Sequence, residues 1–149
     1  MDIRHILAPT DFSDYSKKAL SDAFELAQIF GAKLSLLHVL EPSPYLGEFT
    51  LPTMGEELLG DLERQASAAL AQVLPEAQQA KIEVTRAVAI GSPSVKIVET
   101  VEAEHVDLIV MATHGRTGLS HLLIGSVAER VVRTAPCPVL TIRPPAEQA

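Results

Sequence analysis

The feature that most limits the fold of this 149-residue chain is an alternation of short apolar runs with longer stretches of helical spacing. Five runs rich in Val, Ile and Leu have the length of strands: residues 3–8, 33–40, 82–90, 107–111 and 138–142. The second contains LSLLHVL, which is almost continuously apolar, as a strand buried on both faces of a parallel sheet is. We therefore predict an α/β fold with helices on both faces of a parallel sheet.

Four helices are predicted between these strands. The first covers residues 16–30 and has Gly31 at its C-terminal cap, and the second has apolar positions from 58 to 73 and closes at Pro75. Residues 41–55, which are rich in Pro and Gly, are predicted to be a flexible loop.

The last two helices carry N-terminal signals. Ser92 followed by Pro93 predicts an N-cap and a first helical position. Ser126 and Glu129 have the spacing of a capping box, which predicts a helix through about residue 134. Residues 144–149 are predicted to be a tail, and the whole of 1–149 a single domain.

Right-handed crossovers turn this order of elements into a doubly wound, Rossmann-like sheet. Its ligand crevice lies at the carboxyl ends of the strands, where the winding direction reverses. If the first strand is central, it ends at Pro9, Thr10 and Asp11, and a neighbouring fourth strand delivers the loop that follows Ala112. Both segments would then meet in one crevice.

Composition excludes several classes of protein. The 12 basic and 19 acidic residues leave a formal charge of -7, which disfavours general nucleic-acid binding. No apolar run approaches the roughly 18 to 20 residues that cross a bilayer. Cys137 is the only cysteine, and the N-terminus lacks the basic and apolar regions of a signal peptide. We expect a cytoplasmic protein.

The stretch MATHGRTGLSHLLIGS (111–126) concentrates three glycines after the fourth apolar run. Gly115 and Gly118 in a loop, and Gly125 at a helix start, would let a phosphate approach backbone N–H groups, and Arg116 could add a cation. Simple turns and a helix cap explain the same glycines equally well. The stretch has neither a Walker P-loop pattern nor the G-x-G-x-x-G of dinucleotide-binding proteins.

Other polar residues also allow two interpretations. Asp11 would be an Asx-turn or N-cap residue if it is not a ligand, and His38 is interpreted as a hydrogen-bonded core imidazole. His114 is interpreted either as a phosphate contact or acid, or as a structural residue. The remaining histidines lack the spacing of metal ligands.

Several motifs in order make the chain resemble the universal stress protein family. These are ILAPTDFS (6–13), LHV (37–39), GSP (91–93), DLIVMATHG (107–115), GS (125–126) and PCPVL (136–140). The resemblance implies a five-stranded parallel sheet of order 3-2-1-4-5, usually in a homodimer, with ATP bound by some members and not by others.

The ATP-binding branch of that family carries G-x-x-G, nine residues, and then G-[ST]. Here the spacing matches, but Ala112 takes the place of the first glycine. If φ of Ala112 is negative, its methyl group costs little. If φ is positive or the ligand touches Cα, the cost is about 1 to 2 kcal/mol, or roughly tenfold in affinity.

The resemblance also implies which residues contact ATP. Asp11 would accept a hydrogen bond from the base or ribose, Val39 would pack on the adenine, and Mg²⁺ or Mn²⁺ would be held mainly by the phosphates. The implied contacts are Pro9, Thr10, Asp11 and Val39 at the adenosine end, Met111, Ala112, Thr113, His114, Gly115, Arg116, Thr117 and Gly118 around the ribose and phosphates, and Gly125, Ser126 and Val127 at the outer phosphates.

We expect that the protein is not an enzyme, because Asp11 and His114 are the only residues near the predicted site that could take part in phosphoryl transfer. Any hydrolysis of ATP is expected to be slow and incidental. Nucleotide occupancy would then act as a signal in the stress response. The alternative is a dimeric protein-interaction module without nucleotide, which recognises an unidentified protein partner. In either case the last strand is expected to pair with a second copy of the chain.

Overall fold

The computed structural model describes residues 1–43, 52–115 and 124–143, without the side chains of 52–54. Its elements are five strands, four α-helices and one 3₁₀ helix over these ranges. In chain order they are β1 (His5–Pro9), α1 (Asp14–Phe30), β2 (Lys33–Leu40), α2 (Pro52–Ala71), a 3₁₀ helix (Pro75–Gln79), β3 (Val84–Ile90), α3 (Pro93–Glu104), β4 (Leu108–Ala112), α4 (Ser126–Thr134) and β5 (Val139–Ile142).

The strands form one parallel sheet of order β3-β2-β1-β4-β5, which confirms the predicted fold. All five predicted strands are present, and their bounds differ from the predicted ones by two residues or fewer. Since β1 lies between β2 and β4, the winding direction reverses there, and the crevice at this reversal opens at the carboxyl ends of β1 and β4.

Each face of the sheet has its own apolar core. On one face, α1 and α2 bury residues such as Leu20 and Leu70 against Ile6 and Val110. On the other face, α3 and α4 contribute Ile97 and Val131, which pack with residues such as Leu7 and Ile109. The alternation of side chains along the strands distributes the apolar residues between both faces, as in a central parallel sheet.

The predicted cap of α1 at Gly31 is confirmed, whereas its N-cap was not predicted. Ser13 is its N-cap, and the Ser13 hydroxyl accepts a hydrogen bond from the N–H of Ser16. At the other end, Gly31 adopts a left-handed φ of 63°, a backbone conformation that costs glycine little. In α3, Ser92 occupies the predicted N-cap position, but its side chain makes no capping hydrogen bond.

Two predictions about helix starts are wrong. The predicted loop 41–55 includes the start of α2, because Pro52, with its fixed φ, suits the first helical turn; residues 44–51 lie outside the described part. Ser126 is not an N-cap, since Gly125 holds that position and no side chain caps the helix. The Glu129 carboxylate pairs with Arg133, one turn further on, instead of completing a capping box.

The end of α2 also differs from the prediction. The helix ends at Ala71, and Pro75 begins the 3₁₀ helix instead of closing the α-helix. The Arg86 guanidinium of β3 donates hydrogen bonds to the carbonyl oxygens of Leu70, Val73 and Leu74. The Arg86 cation therefore binds one carbonyl in the last turn of α2 and two carbonyls of the segment that follows it.

No helix within the described ranges is both long and apolar enough to cross a membrane.

Candidate functional site

Two polar loops leave the sheet side by side at the reversal of winding. β1 and β4 are hydrogen-bonded neighbours, with Ile6 opposite Leu108 and Leu7 opposite Ile109. β1 ends at Pro9 and β4 ends at Ala112, so the segments 10–13 and 113–115 begin at the same edge of the sheet. The sequence-predicted crevice is thus formed by the two segments that carry its motifs.

Asp11 and Gly115 are in close contact across this crevice. A Cβ atom built on Gly115 would lie only 2.6 Å from Oδ2 of Asp11. Gly115 is not among the residues of positive φ. The glycine at this position therefore leaves space for the Asp11 carboxylate, and the backbone conformation does not require glycine.

The turn that carries Asp11 is held by its own hydrogen bonds. Oδ1 of Asp11 accepts from the N–H of Ser13 at 2.9 Å, which is an Asx-turn. The Thr10 hydroxyl accepts from the N–H of Phe12 at 3.1 Å and pairs with the hydroxyl of Ser16 at 3.0 Å. The predicted Asx-turn is therefore confirmed: one oxygen of Asp11 closes the turn, and the other faces Gly115.

Ala112 occupies an ordinary strand position. It is the last residue of β4, lies opposite Ile142 of β5, and has no positive φ. Because φ of Ala112 is not positive, its methyl group costs no backbone strain.

If this chain binds a nucleotide, as the family resemblance implies, replacing Ala112 with glycine is expected to bring no gain in affinity. The change lowers the free energy of unfolding by about 0.5 to 1 kcal/mol, because glycine in a strand loses more conformational freedom on folding. Urea unfolding and calorimetric titration with Mg-ATP measure the two quantities. An affinity more than about tenfold higher in Ala112→Gly would show that the methyl group obstructs the ligand.

Gly125 packs against the loop that follows β4. Its N–H donates to the carbonyl oxygen of Thr113 at 2.6 Å, and a Cβ built on it would lie 3.1 Å from that same oxygen and 3.6 Å from Cα of His114. The Gly125 amide is therefore already engaged. The first-turn N–H groups of α4 begin with Ser126 and Val127, which are exposed and lie where an α-helix leaves its amides without intrahelical acceptors.

Thr113 and His114 are the first residues after β4. Thr113 is buried, and its hydroxyl lies 2.9 Å from Nδ1 of His114. The ring of Tyr15, in the first turn of α1, lies 6.5 Å from the His114 ring between centroids. Tyr15 is not among the site residues predicted from the sequence; its place four residues after Asp11, at a helix start, is the signal that could have identified it.

The first turn of α1 adds a carboxylate near the site. A side-chain hydrogen bond from Lys17, together with the charge of that lysine, lowers the pKa of the Asp14 carboxyl. Both groups are exposed to solvent, so their pairing keeps Asp14 ionised without a large effect on stability.

The remaining predicted contacts fall into three groups. Pro9 and Val39 are half-buried at the ends of β1 and β2. Met111 is buried within β4, so its side chain belongs to the core and only its backbone borders the crevice. Arg116, Thr117 and Gly118 lie outside the described residues.

A cavity of about 400 Å³ lies behind the Asp11 turn, between α1 and the 3₁₀ helix. Thr10 and Phe12 line it, together with residues such as Leu20 and Leu74, but Asp11 and Gly115 do not. It is therefore separate from the crevice.

In the ranges 1–43, 52–115 and 124–143, no group of three or more His, Cys, Asp or Glu residues could hold a metal ion.

Comparison with known proteins agrees with this architecture. Residues 2–143 match the family model of the universal stress protein family. Universal stress protein MJ0531 of Methanocaldococcus jannaschii is 38% identical over 147 residues, which cover 97% of this chain and 85% of that protein.

Solved structures share the fold. The structure of protein MJ0577, from the same organism, superposes with a TM-score of 0.83 at 29% identity and covers 97% of this chain and 98% of its own. A universal stress protein from Archaeoglobus fulgidus, solved in complex with dAMP, has a TM-score of 0.65 at 21% identity and covers 95% of this chain and 99% of its own, a likeness that shows the fold alone. With the family model matching almost the whole chain, this protein belongs to the universal stress protein family.

Proposed function

We propose that this chain binds an adenine nucleotide, ATP with Mg²⁺ or Mn²⁺, in the crevice between the Asp11 turn and the loop after β4. The observation that carries the proposal is the contact of Asp11 with Gly115, where a Cβ would approach Oδ2 to 2.6 Å. It brings a hydrogen-bond acceptor against a bare backbone at the reversal of winding, where such sheets bind ligands. A structural relative that holds dAMP supports the same class of ligand.

The proposed contacts assign the nucleoside and the phosphates to different parts of the crevice. Asp11 would accept a hydrogen bond from the base or ribose, beside Pro9 and Thr10, and Val39 would pack under the adenine. The backbone from Met111 to Gly115 would border the ribose and inner phosphates. This division of the crevice separates recognition of the nucleoside from binding of the phosphate chain.

The outer phosphates would bind at the N-terminus of α4. Its orphan N–H groups at Ser126 and Val127 attract anions, with a charge–dipole contribution of about 0.3 to 1 kcal/mol. Gly125 would contribute by its lack of a Cβ, because its amide already donates to Thr113. The metal ion would be held mainly by the phosphates.

Calorimetric titration tests this function. We expect Mg-ATP to give a heat of binding and to raise the melting temperature of the protein. Parallel titrations with ADP and AMP compare their affinities with that of ATP. If millimolar Mg-ATP gave neither heat nor thermal stabilisation, the proposal would be wrong.

We further propose that nucleotide occupancy is a signal in the cytoplasm and that the chain is not an efficient enzyme. Asp11 and His114 are the candidates for acid–base chemistry in the crevice that were predicted from the sequence, and phosphoryl transfer also needs a positioned nucleophile and a held metal ion. Rapid ATP turnover that disappears in His114→Ala would contradict this view.

The second candidate function is a dimeric protein-interaction module without nucleotide, which the engagement of the Gly125 amide by Thr113 favours. Copurified nucleotide distinguishes the two functions, because a chain without Trp has weak ultraviolet absorbance of its own. Absorbance typical of an adenine base in the purified protein would favour the first.

For both functions we propose a homodimer through β5. This strand is the edge of the sheet, and Leu140 on it is 39% exposed, so antiparallel pairing across a twofold axis would cover unpaired backbone and apolar surface. Analytical ultracentrifugation at micromolar concentration is expected to give a dimer, and a monomer would contradict the pairing.

A further inference from the structure

The His38 imidazole is fastened to the turn that carries Asp11. His38 lies in β2, is 7% exposed, and has Nδ1 2.8 Å from the carbonyl oxygen of Thr10. Since a carbonyl oxygen only accepts, Nδ1 must carry the proton and donate. The N–H of Thr10 in turn donates to the carbonyl of Leu37 at 2.8 Å. Two adjacent residues of β2 thus hydrogen-bond to Thr10: Leu37 accepts from its N–H, and His38 donates to its C=O.

The residue after Asp11 is held by the same imidazole. The Phe12 ring lies 4.3 Å from the His38 ring between centroids, with the ring planes inclined by 31°. Phe12 has a φ of 64°, in the left-handed region that residues with a Cβ rarely adopt. Such a conformation persists only where the surroundings hold it, and here the ring contact and the hydrogen bond to the Thr10 hydroxyl do so.

Asp11 is the one residue between these two fixed neighbours. Its carboxylate must keep one oxygen on the Ser13 N–H while the other faces Gly115. A rotation of the turn by a small angle would move Oδ2 away from Gly115, because Asp11 has a short side chain. The orientation of the carboxylate therefore depends on His38, which lies behind the turn.

We propose that His38 is a positioning residue for nucleoside recognition: by donating from Nδ1 to Thr10 and packing on Phe12, it aims the Asp11 carboxylate at the adenosine end of the crevice. The inference rests on the proposed nucleotide binding. It assigns His38 no contact with the ligand and no proton transfer. Its effect is confined to the nucleoside, because the phosphate-binding backbone belongs to other elements, β4 and α4.

The test compares ATP with tripolyphosphate, which carries the phosphates without the nucleoside. In His38→Leu, which is apolar and cannot donate, the affinity for Mg-ATP is expected to fall about tenfold, while that for Mg-tripolyphosphate stays within about twofold of the wild type. His38→Asn is expected to restore most of the ATP affinity, since its side-chain N–H can donate from nearly the position of Nδ1.

The control is Leu34→Val, a conservative change at a buried residue of the same strand. Leu34 lies opposite Ile6 of β1 and has no hydrogen bond to the Asp11 turn. It should leave both affinities unchanged at a temperature well below its melting transition. If His38→Leu fails to fold, Phe12→Gly replaces it, because glycine accepts the positive φ while the ring that packs on His38 is lost. The same selective loss of ATP affinity is expected.

Several results would overturn the inference. These are equal losses for ATP and tripolyphosphate in the His38 variants, unchanged ATP affinity in His38→Leu, or a long-range ¹⁵N–¹H spectrum in which the His38 ring carries its proton on Nε2 alone. If the wild type itself bound no ATP, the proposed function would fail, and the spectrum would still report whether His38 holds the turn. The two failures are therefore distinguishable.

Discussion

Gly115→Ala is expected to lower the affinity for Mg-ATP by about 2 kcal/mol, or roughly thirtyfold. The new methyl carbon would lie 2.6 Å from Oδ2 of Asp11, well inside van der Waals contact. Asp11 is short and is tied through Oδ1 to Ser13, so it cannot move aside without breaking its turn. The carboxylate is therefore displaced from the position that the proposed nucleoside contact needs. Isothermal titration calorimetry measures the loss.

A double-mutant cycle with Asp11→Ala separates this cause from a direct clash with the ligand. Removing the carboxylate relieves the crowding, so Gly115→Ala should cost about 1 kcal/mol of unfolding free energy in the wild type and almost nothing when Asp11 is already alanine. ATP affinity in the double variant should equal that of Asp11→Ala alone. If Gly115→Ala weakened binding by the same factor in both backgrounds, its methyl group would be touching the nucleotide directly.

Gly125→Val is expected to weaken Mg-ATP binding by about 2 kcal/mol, again roughly thirtyfold, because hydrogen bonds from the helix amides to the charged phosphates would be disturbed. Even the first carbon of the new side chain would approach the Thr113 carbonyl oxygen to 3.1 Å and Cα of His114 to 3.6 Å. Both neighbours belong to the backbone, which cannot rotate away as a side chain does. The start of α4 must therefore shift, and the N–H groups of Ser126 and Val127 move away from the proposed outer phosphates.

Gly60→Ala is the matched control for this substitution. Gly60 lies within α2, where a Cβ would meet only the end of the Arg64 side chain, at 3.5 Å. Alanine there should raise the free energy of unfolding by about 0.5 to 1 kcal/mol and leave ATP binding unchanged. Unaltered ATP affinity in Gly125→Val, beside a normally folded protein, would show that the phosphates bind elsewhere.

Local chemistry in the sequence is sufficient to predict most elements. Alternating apolar runs identify all five strands, and Gly31 and Pro93 lie at the predicted helix ends because each suits the backbone of its position. The errors arise where local signals compete. Ser126 has the spacing of a capping residue, but the hydrogen bond from Gly125 to Thr113 shifts the helix start by one position, and Glu129 finds Arg133 instead.

The sequence by itself determined the fold class and the two polar segments at the strand ends, because periodicity and turn chemistry act between near neighbours in the chain. The individual residues of the candidate crevice were implied by the resemblance to the family. Only the tertiary structure decided why the glycines are there. Neither Gly115 nor Gly125 has a positive φ; each leaves room for a group that the fold brings against it, Oδ2 of Asp11 and the carbonyl of Thr113. The same holds for His38, whose partners Thr10 and Phe12 come from another strand end. Contacts between segments distant in the chain depend on strand order and register, which no local pattern encodes.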